Sequence, residues 1–390
     1  MRSCCCYCSY AVIAVITIIY SIHFSINSAT QDASGASHLF MALIPTTILT
    51  GFLGAGKTTL LNRILHEQHG MRIAVIENEF GAENIDNEIL MRDNVEQIVD
   101  MNNGCICCTV RGDLIIGLTA LADRRAAGEL QFDRVVIETT GLANPGPVAQ
   151  TFFIDDSVAS QYLLDAIITV VDAKHAMQQL DEHEEAQRQI GFADRILLSK
   201  TDLVTSADLA QLKARIKSIN PRAAIGESKF GEAAIADILD IRGFNLNDKL
   251  DLDPAFLADE MPHDQHHHEH GLNCAPDCGH DHPRSPAQSR HHDDIKAFVF
   301  STERVFDSAR LDEFLGGIVQ VYGPRMLRYK GVLAMNGSDH KIFFQGVHQI
   351  MGSDVGPVWP VNLPRNSKMV FIGKNLPEDT FIQGLEQCLV

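Results

Sequence analysis

The chain has 390 residues, 45% hydrophobic and 21% charged, a make-up that fits a two-domain globular protein and excludes a disordered or fibrous one. Its formal charge of −18 repels phosphate backbones and argues against nucleic acid as a partner. The ten cysteines are clustered, which points to metal sites in a reducing compartment rather than a disulfide framework.

The N-terminus carries Cys4, Cys5, Cys6 and Cys8, then an apolar run over residues 10–26. That run is short for a membrane span, contains His23, and has only Arg2 as a preceding charge. The favoured reading starts the working protein at Met41 and leaves residues 1–40 as an extension. A membrane anchor and a signal peptide are the alternatives, and membrane contact is expected only if 10–26 is a real anchor.

From about residue 46 to 240, short β-branched runs alternate with helical patterns. Strands are predicted at 46–50, 72–76, 96–100, 134–137, 166–171 and 195–198, and helices at 57–69, 114–127 and 207–219. The strand runs are almost continuously apolar, as expected when helices cover both faces. The pattern predicts an α/β fold with a doubly wound, mostly parallel sheet over 41–260.

Gly51-Phe-Leu-Gly54-Ala55-Gly56-Lys57-Thr58 fits a phosphate-binding loop, and it stands between a strand and an apolar-periodic helix. Glycines let successive N–H groups, through Thr59, wrap a triphosphate, and the helix N-terminus adds partial positive charge. Lys57 should reach the β- and γ-phosphates, and Thr58 should ligate Mg²⁺. Glu77-Asn-Glu79-Phe-Gly81 follows the second strand, where a loop can respond to the γ-phosphate.

Cys105-Ile-Cys107-Cys108 places three thiols in a loop after the strand at 96–100. Three sulfurs suit Zn²⁺ or Cu(I) better than Mg²⁺ and leave one coordination position open for transfer to a client; where the loop keeps all three from binding at once, Glu77 or a histidine completes the set. A buried trio of small hydrophobes is the alternative.

Val135-Val-Ile137-Glu138 ends an apolar strand in a carboxylate, and Thr139-Thr140-Gly141 follows. Glu138 can hold Mg²⁺ through water or orient an attacking water, with Gly141 as the γ-phosphate-sensing turn. In Ser199-Lys200-Thr201-Asp202, Asp202 can accept both guanine N1–H and the exocyclic amine, a donor pair adenine lacks. Lys200 would pack on the base plane. These residues point to GTP, and hence to the cytoplasm.

Residues 262–294 hold nine of the seventeen histidines, four prolines, Cys274 and Cys278. The stretch has too few apolar residues to build a core, so 261–294 is expected to be a flexible linker with weak, exchangeable metal binding. Residues 295–390 are expected to form a smaller α+β domain, with strands at 298–300, 326–334 and 341–347 and helices at 311–319 and 380–388.

With these motifs assembled, the chain resembles the CobW-like P-loop GTPases, and most of all their bacterial, zinc-linked YjiA-like branch. The matching segments are 51–59, 77–81, 104–108, 138–141, 199–202, 328–331 and 344–347, covering about residue 44 to the C-terminus. The resemblance implies slow intrinsic GTP hydrolysis, metal binding coupled to nucleotide state, and Cys105, Cys107 and Cys108 as metal ligands. The expected function is therefore a GTP-hydrolysing metallochaperone delivering Zn²⁺, or else Co²⁺, Ni²⁺ or Fe²⁺, to a client metalloprotein. A non-enzymatic metal buffer and an ATP-using P-loop kinase are the rivals, and self-association is left open.

Overall fold

The structure, a computed structural model, describes residues 43–67, 69–77, 98–100, 110–228, 231, 233–234, 238–244, 293–361 and 364–390. The N-terminal extension, the loop after Glu77, the thiol loop and nearly all of the histidine-rich linker lie outside the described residues. Among the described residues no helix is long and apolar enough to cross a membrane.

Seven parallel strands form the first sheet: β1 (Ile44–Gly51), β2 (Ile73–Glu77), β3 (Ile98–Asp100), β4 (Arg134–Glu138), β5 (Tyr162–Asp172), β6 (Arg195–Ser199) and β7 (Ala224–Ser228). Their order is β3-β2-β4-β1-β5-β6-β7. The helices are α1 (Lys57–His66), α2 (Val110–Ala126), α3 (Pro145–Ile154), α4 (Asp156–Ala159), α5 (Ala176–Glu182), α6 (Glu184–Phe192) and α7 (Ser206–Ile219).

Side-chain alternation explains the unbroken apolar runs. Ile48, Ala74, Ile76, Val135, Ile137, Ile196 and Leu198 enter one core cluster with α2, α3 and α6. Their neighbours Leu49, Ile73, Val75, Val136 and Leu197 enter another, with Leu60, Leu61 and Ile64 of α1. Both faces are covered, and each buried aliphatic side chain contributes about 1.5–3 kcal/mol.

Helix α1 stops at His66, short of the predicted 69. Glu67 turns extended at ψ 140°, and the ring of His69 meets the Ile64 carbonyl at 2.9 Å, satisfying a helix-end acceptor from outside the helix. Strand β5 runs well past the predicted 166–171, from Tyr162 to Asp172, with all but one position buried.

The second sheet is antiparallel, ordered β11-β10-β9-β12-β8. Its strands are β8 (Ile295–Thr302), β9 (Met326–Ala334), β10 (His340–Val347), β11 (Ile350–Val358) and β12 (Ser367–Lys374). Helices α8 (Ser308–Tyr322) and α9 (Glu378–Gln387) cover one face, burying Phe298, Tyr329, Phe344, Phe371 and Phe381. The other face, through Leu327, Val332, Phe343, Val370 and Ile372, joins the core of the first sheet. Leu43–Val390 is accordingly one compact unit.

Charges pin this seam. Asp194 accepts from Arg328 Nη2 at 2.7 Å and from Lys330 Nζ at 3.3 Å, while the Arg328 guanidinium lies 3.4 Å over the Phe244 ring. Burial pushes the Asp194 carboxyl up, but the two cations outweigh it and hold it below the usual carboxylate range. Burial lowers Arg328 to about 10 against the pull of Asp194. Arg215 clamps Asp293 through Nε and Nη2, at 3.1 and 2.6 Å, just before β8.

Candidate functional site

Residues 51–58 leave β1 at the carboxyl edge of the sheet, beside the point where the chain reverses direction across it, which is where open α/β sheets bind ligands. Gly51 has φ +147° and lies so close to the Val170 carbonyl that no Cβ fits. Gly54 and Gly56 have φ +71° and +101°, the left-handed region that glycine adopts without strain. Gly56 then serves as the N-cap of α1, and Ala55 is fully buried beneath the loop.

Lys57 is buried, with Nζ 3.4 Å from the Phe52 carbonyl. Burial lowers its pKa, partly opposed by the charge of Glu138. Thr58 Oγ1 donates to Glu138 Oε1 at 2.8 Å, joining the start of α1 to the end of β4. This all-oxygen pair fits a hard divalent cation such as Mg²⁺.

The turn after Glu138 backs directly onto the loop. Thr139 N donates to Leu49 O at 2.9 Å, and Thr139 Oγ1 donates to Thr50 Oγ1 at 2.8 Å. A Cβ on Gly141 would stand 2.7 Å from the Leu53 backbone, so only glycine allows this approach. Asn144 caps α3, its side chain accepting from Gly146 N at 3.0 Å, with Pro145 in the first turn.

At the other side of the loop, Lys200 adopts φ 56° and donates from Nζ to Gly54 O at 2.9 Å and to Asp172 Oδ2 at 2.7 Å. Ser199 Oγ donates to Ala55 O at 2.6 Å. Asp202 sits exposed in the 3₁₀ turn Thr201–Leu203. The structure thus gathers Gly51, Gly54, Ala55, Gly56, Lys57, Thr58, Thr59, Glu138, Gly141, Lys200 and Asp202 along one sheet edge.

Glu77 ends β2, half-buried, in register with Glu138 on β4 and Asp100 on β3. Cys105, Cys107 and Cys108 lie outside the described residues, but the strand that leads to them ends at this edge. Among the described residues there is no group of three His, Cys, Asp or Glu placed to hold a metal ion.

Asp172 is the residue that sequence reasoning missed. It accepts from Lys174 N at 2.9 Å, His175 N at 3.3 Å, His175 Nδ1 at 2.9 Å and Lys200. Burial pushes its carboxyl up, but the hydrogen bonds from Lys200, His175 and Lys174 win and lower it. The available signal is a carboxylate ending the apolar run Val170-Val171-Asp172, the same signal that singled out Glu138. Gln189 is the second omission. Its Nε2 donates to Gly141 O and Ala143 O at 3.1 and 3.0 Å, and no local pattern announces it.

Residues 45–227 match the family model for the CobW/HypB/UreG nucleotide-binding domain, and 295–389 match the cobalamin synthesis protein cobW C-terminal domain. The zinc chaperone YjiA of Escherichia coli is 38% identical over 339 residues, spanning 86% of this chain and 96% of that protein. Zinc-regulated GTPase metalloprotein activator 1 of Schizosaccharomyces pombe is 33% identical over 357 residues, spanning 85% and 83%. The crystal structure of the Zn(II)-bound YjiA GTPase from E. coli superposes with a TM-score of 0.69 at 33% identity, covering 89% of this chain and 99% of that one.

Proposed function

The chain belongs to the CobW/HypB/UreG nucleotide-binding family and carries its CobW-type C-terminal domain, and on that premise we propose that it is a GTP-hydrolysing metallochaperone that passes zinc to client metalloproteins in the cytoplasm. One observation carries the reading. The phosphate loop, Glu138 and the Lys200 turn share a sheet edge with the strand that leads into the three-thiol loop. Asp100 stands three strand spacings from β1, roughly 14 Å, close enough for a nucleotide-driven shift to reach it.

The nucleotide would enter with its phosphates on the N–H groups of 51–59. Lys57, stripped of much of its water, gains from a triphosphate, because an anion makes up for the solvation that burial removed. Thr58 and the Glu138 carboxylate would hold Mg²⁺, which supplies charge neutralisation at the β- and γ-phosphates. Glu138 also lies where it can orient the attacking water, and the Gly141 turn, set on Leu53, senses whether a γ-phosphate is present. Lys200, tethered at its ammonium to Gly54 and Asp172, presents its alkyl stem to the guanine, and Asp202 reads the base edge.

Cys105, Cys107 and Cys108 with Glu77 would form the cargo site. Three thiolates and a carboxylate suit Zn²⁺, and an exchangeable fourth position suits hand-over to a client. The deciding experiment titrates Zn²⁺ in competition with Co²⁺, Ni²⁺ and Fe²⁺, first with a non-hydrolysable GTP analogue bound and then with GDP. Tight Zn²⁺ binding that changes at least about tenfold between the two nucleotides is expected, a coupling of about 1.4 kcal/mol. Equal affinity in both states would sink the reading. Cys107→Ser should weaken Zn²⁺ binding strongly and leave GDP affinity untouched.

A further inference from the structure

Helix α6 reads Glu-Glu-Ala-Gln-Arg-Gln-Ile-Gly-Phe and places two glutamines two positions apart. On a helix they point about 200° from one another, toward nearly opposite neighbours. Both side chains are buried, Gln189 at 1% exposure, so both amides need partners inside the protein.

Gln189 turns to the nucleotide side. Both amide hydrogens are spent on Gly141 O and Ala143 O, and its own main-chain carbonyl accepts from Thr169 Oγ1 at 2.8 Å. Gln187 turns to the second sheet. Its Oε1 accepts from Asp294 N at 3.1 Å and Ile295 N at 3.3 Å, where β8 begins.

The rest of the helix repeats this division. The His183 ring, just before α6, lies 4.7 Å from the ring of Phe52 in the phosphate loop. Glu184 accepts from Lys374 Nζ at 2.6 Å, at the end of β12. Gly191 packs closely against the Leu327 side chain of β9, and Phe192 meets the His348 ring edge-on at 5.3 Å. His348 also closes on Gly146, at the start of the helix that follows the Gly141 turn.

We propose that α6 is the rigid link by which occupancy of the phosphate site reaches the C-terminal sheet, with Gln189 as the positioning residue for the 141–143 turn. The proposal rests on the GTPase reading above and adds to it a route and a residue. Pinning Gly141 O fixes the 141–142 peptide plane, and hence the pitch of the turn against Leu53. Because Gln189 has no spare donor, a turn that moves either breaks two buried hydrogen bonds or carries the helix along. A close-packed interior favours moving the helix as a body, and Gln187, Gly191 and Phe192 then move against the second sheet.

The test is hydrogen exchange of the full chain with GDP and with a non-hydrolysable GTP analogue, read on peptides covering 293–302, alongside steady-state hydrolysis. In the unmodified protein these amides should differ in protection by about tenfold between the two states. In Gln189→Leu that difference should vanish and kcat fall about tenfold, with KM and GDP affinity kept within about twofold. A merely structural glutamine would lower the melting temperature and the affinity for both nucleotides together, without that split. Should Gln189→Leu fail to fold, Lys374→Ala serves instead: it leaves basal hydrolysis unchanged and should shrink the exchange difference. Identical exchange at 293–302 with both nucleotides in the unmodified protein overturns the link, and a native kcat in Gln189→Leu overturns the positioning role. Failure of the protein to bind or hydrolyse GTP would instead remove the GTPase reading.

Discussion

Strand β5 carries a buried carboxylate near each end, and the two ends behave differently. Asp165, at the amino end, is 3% exposed. It accepts from Arg134 Nη1 at 2.6 Å, Thr47 Oγ1 at 3.3 Å, and the backbone amides of Asp240 and Arg242. Asp172, at the carboxyl end, is 2% exposed, but its main cation, Lys200, is 38% exposed and also holds the phosphate loop. One cluster is closed and completes the fold. The other is open to solvent through Lys200 and tied to the loop that follows β1. Buried charge therefore does not mark function by itself; a cation shared between a carboxylate and an accessible loop does.

The comparison breaks most easily at the open end. Lys57→Ala should lower GTP hydrolysis by about a thousandfold or more while the melting temperature stays within a few degrees, measured by phosphate release and calorimetry. At the closed end Asp165→Ala should do the reverse. It removes the 2.6 Å partner of the buried Arg134 and leaves Asp240 Oδ1, at 3.8 Å, as its counter-charge, so it should cost about 3 kcal/mol in urea unfolding, with nucleotide affinity unchanged in the folded fraction. A variant that lost GDP binding at full stability would erase the distinction.

Asp172→Asn sharpens it. Releasing Lys200 should weaken GDP binding about tenfold, or about 1.4 kcal/mol by calorimetric titration, for a stability loss near 1 kcal/mol. The pH dependence has a fixed sign. Asp172 has a folded pKa below its unfolded value, so its contribution is complete above about pH 5 and disappears as pH falls through the unfolded and then the folded value. The stability gap between Asp172→Asn and the unmodified chain should be flat from neutral pH to about 5 and close below 4. The smallest effect is expected at Lys374→Ala, where a half-exposed ion pair with Glu184 should be worth less than about 1 kcal/mol.

What could be read in advance follows from how local each signal is. The phosphate loop is contiguous, and the strand ending in Glu138 announces itself by four residues. Lys200 and Asp202 needed only a strand before them. Gln189 could not be read, because its partners lie 48 and 46 residues away and its neighbours form an ordinary amphipathic helix. The helix Pro145–Ile154 was legible in Asn144-Pro145, a cap and first-turn pair that an expectation built on apolar period passes over. Strand β11 hides for the opposite reason: Gly352, Gly356 and Pro357 read as a loop, and only an edge position tolerates that proline. The packing of the second sheet on the first was not legible either, because the core cluster joins residues far apart in the chain and no local pattern announces it.

The last turn before residue 245 and the residues just before β8 are both moored in the seam itself. Phe244 lies beneath the Arg328 guanidinium and gives its carbonyl to Gln345 at 2.7 Å, while Asp293 is gripped by Arg215. Both moorings thus belong to the seam, so the contact that joins the two sheets also fixes where the chain leaves the first and enters the second.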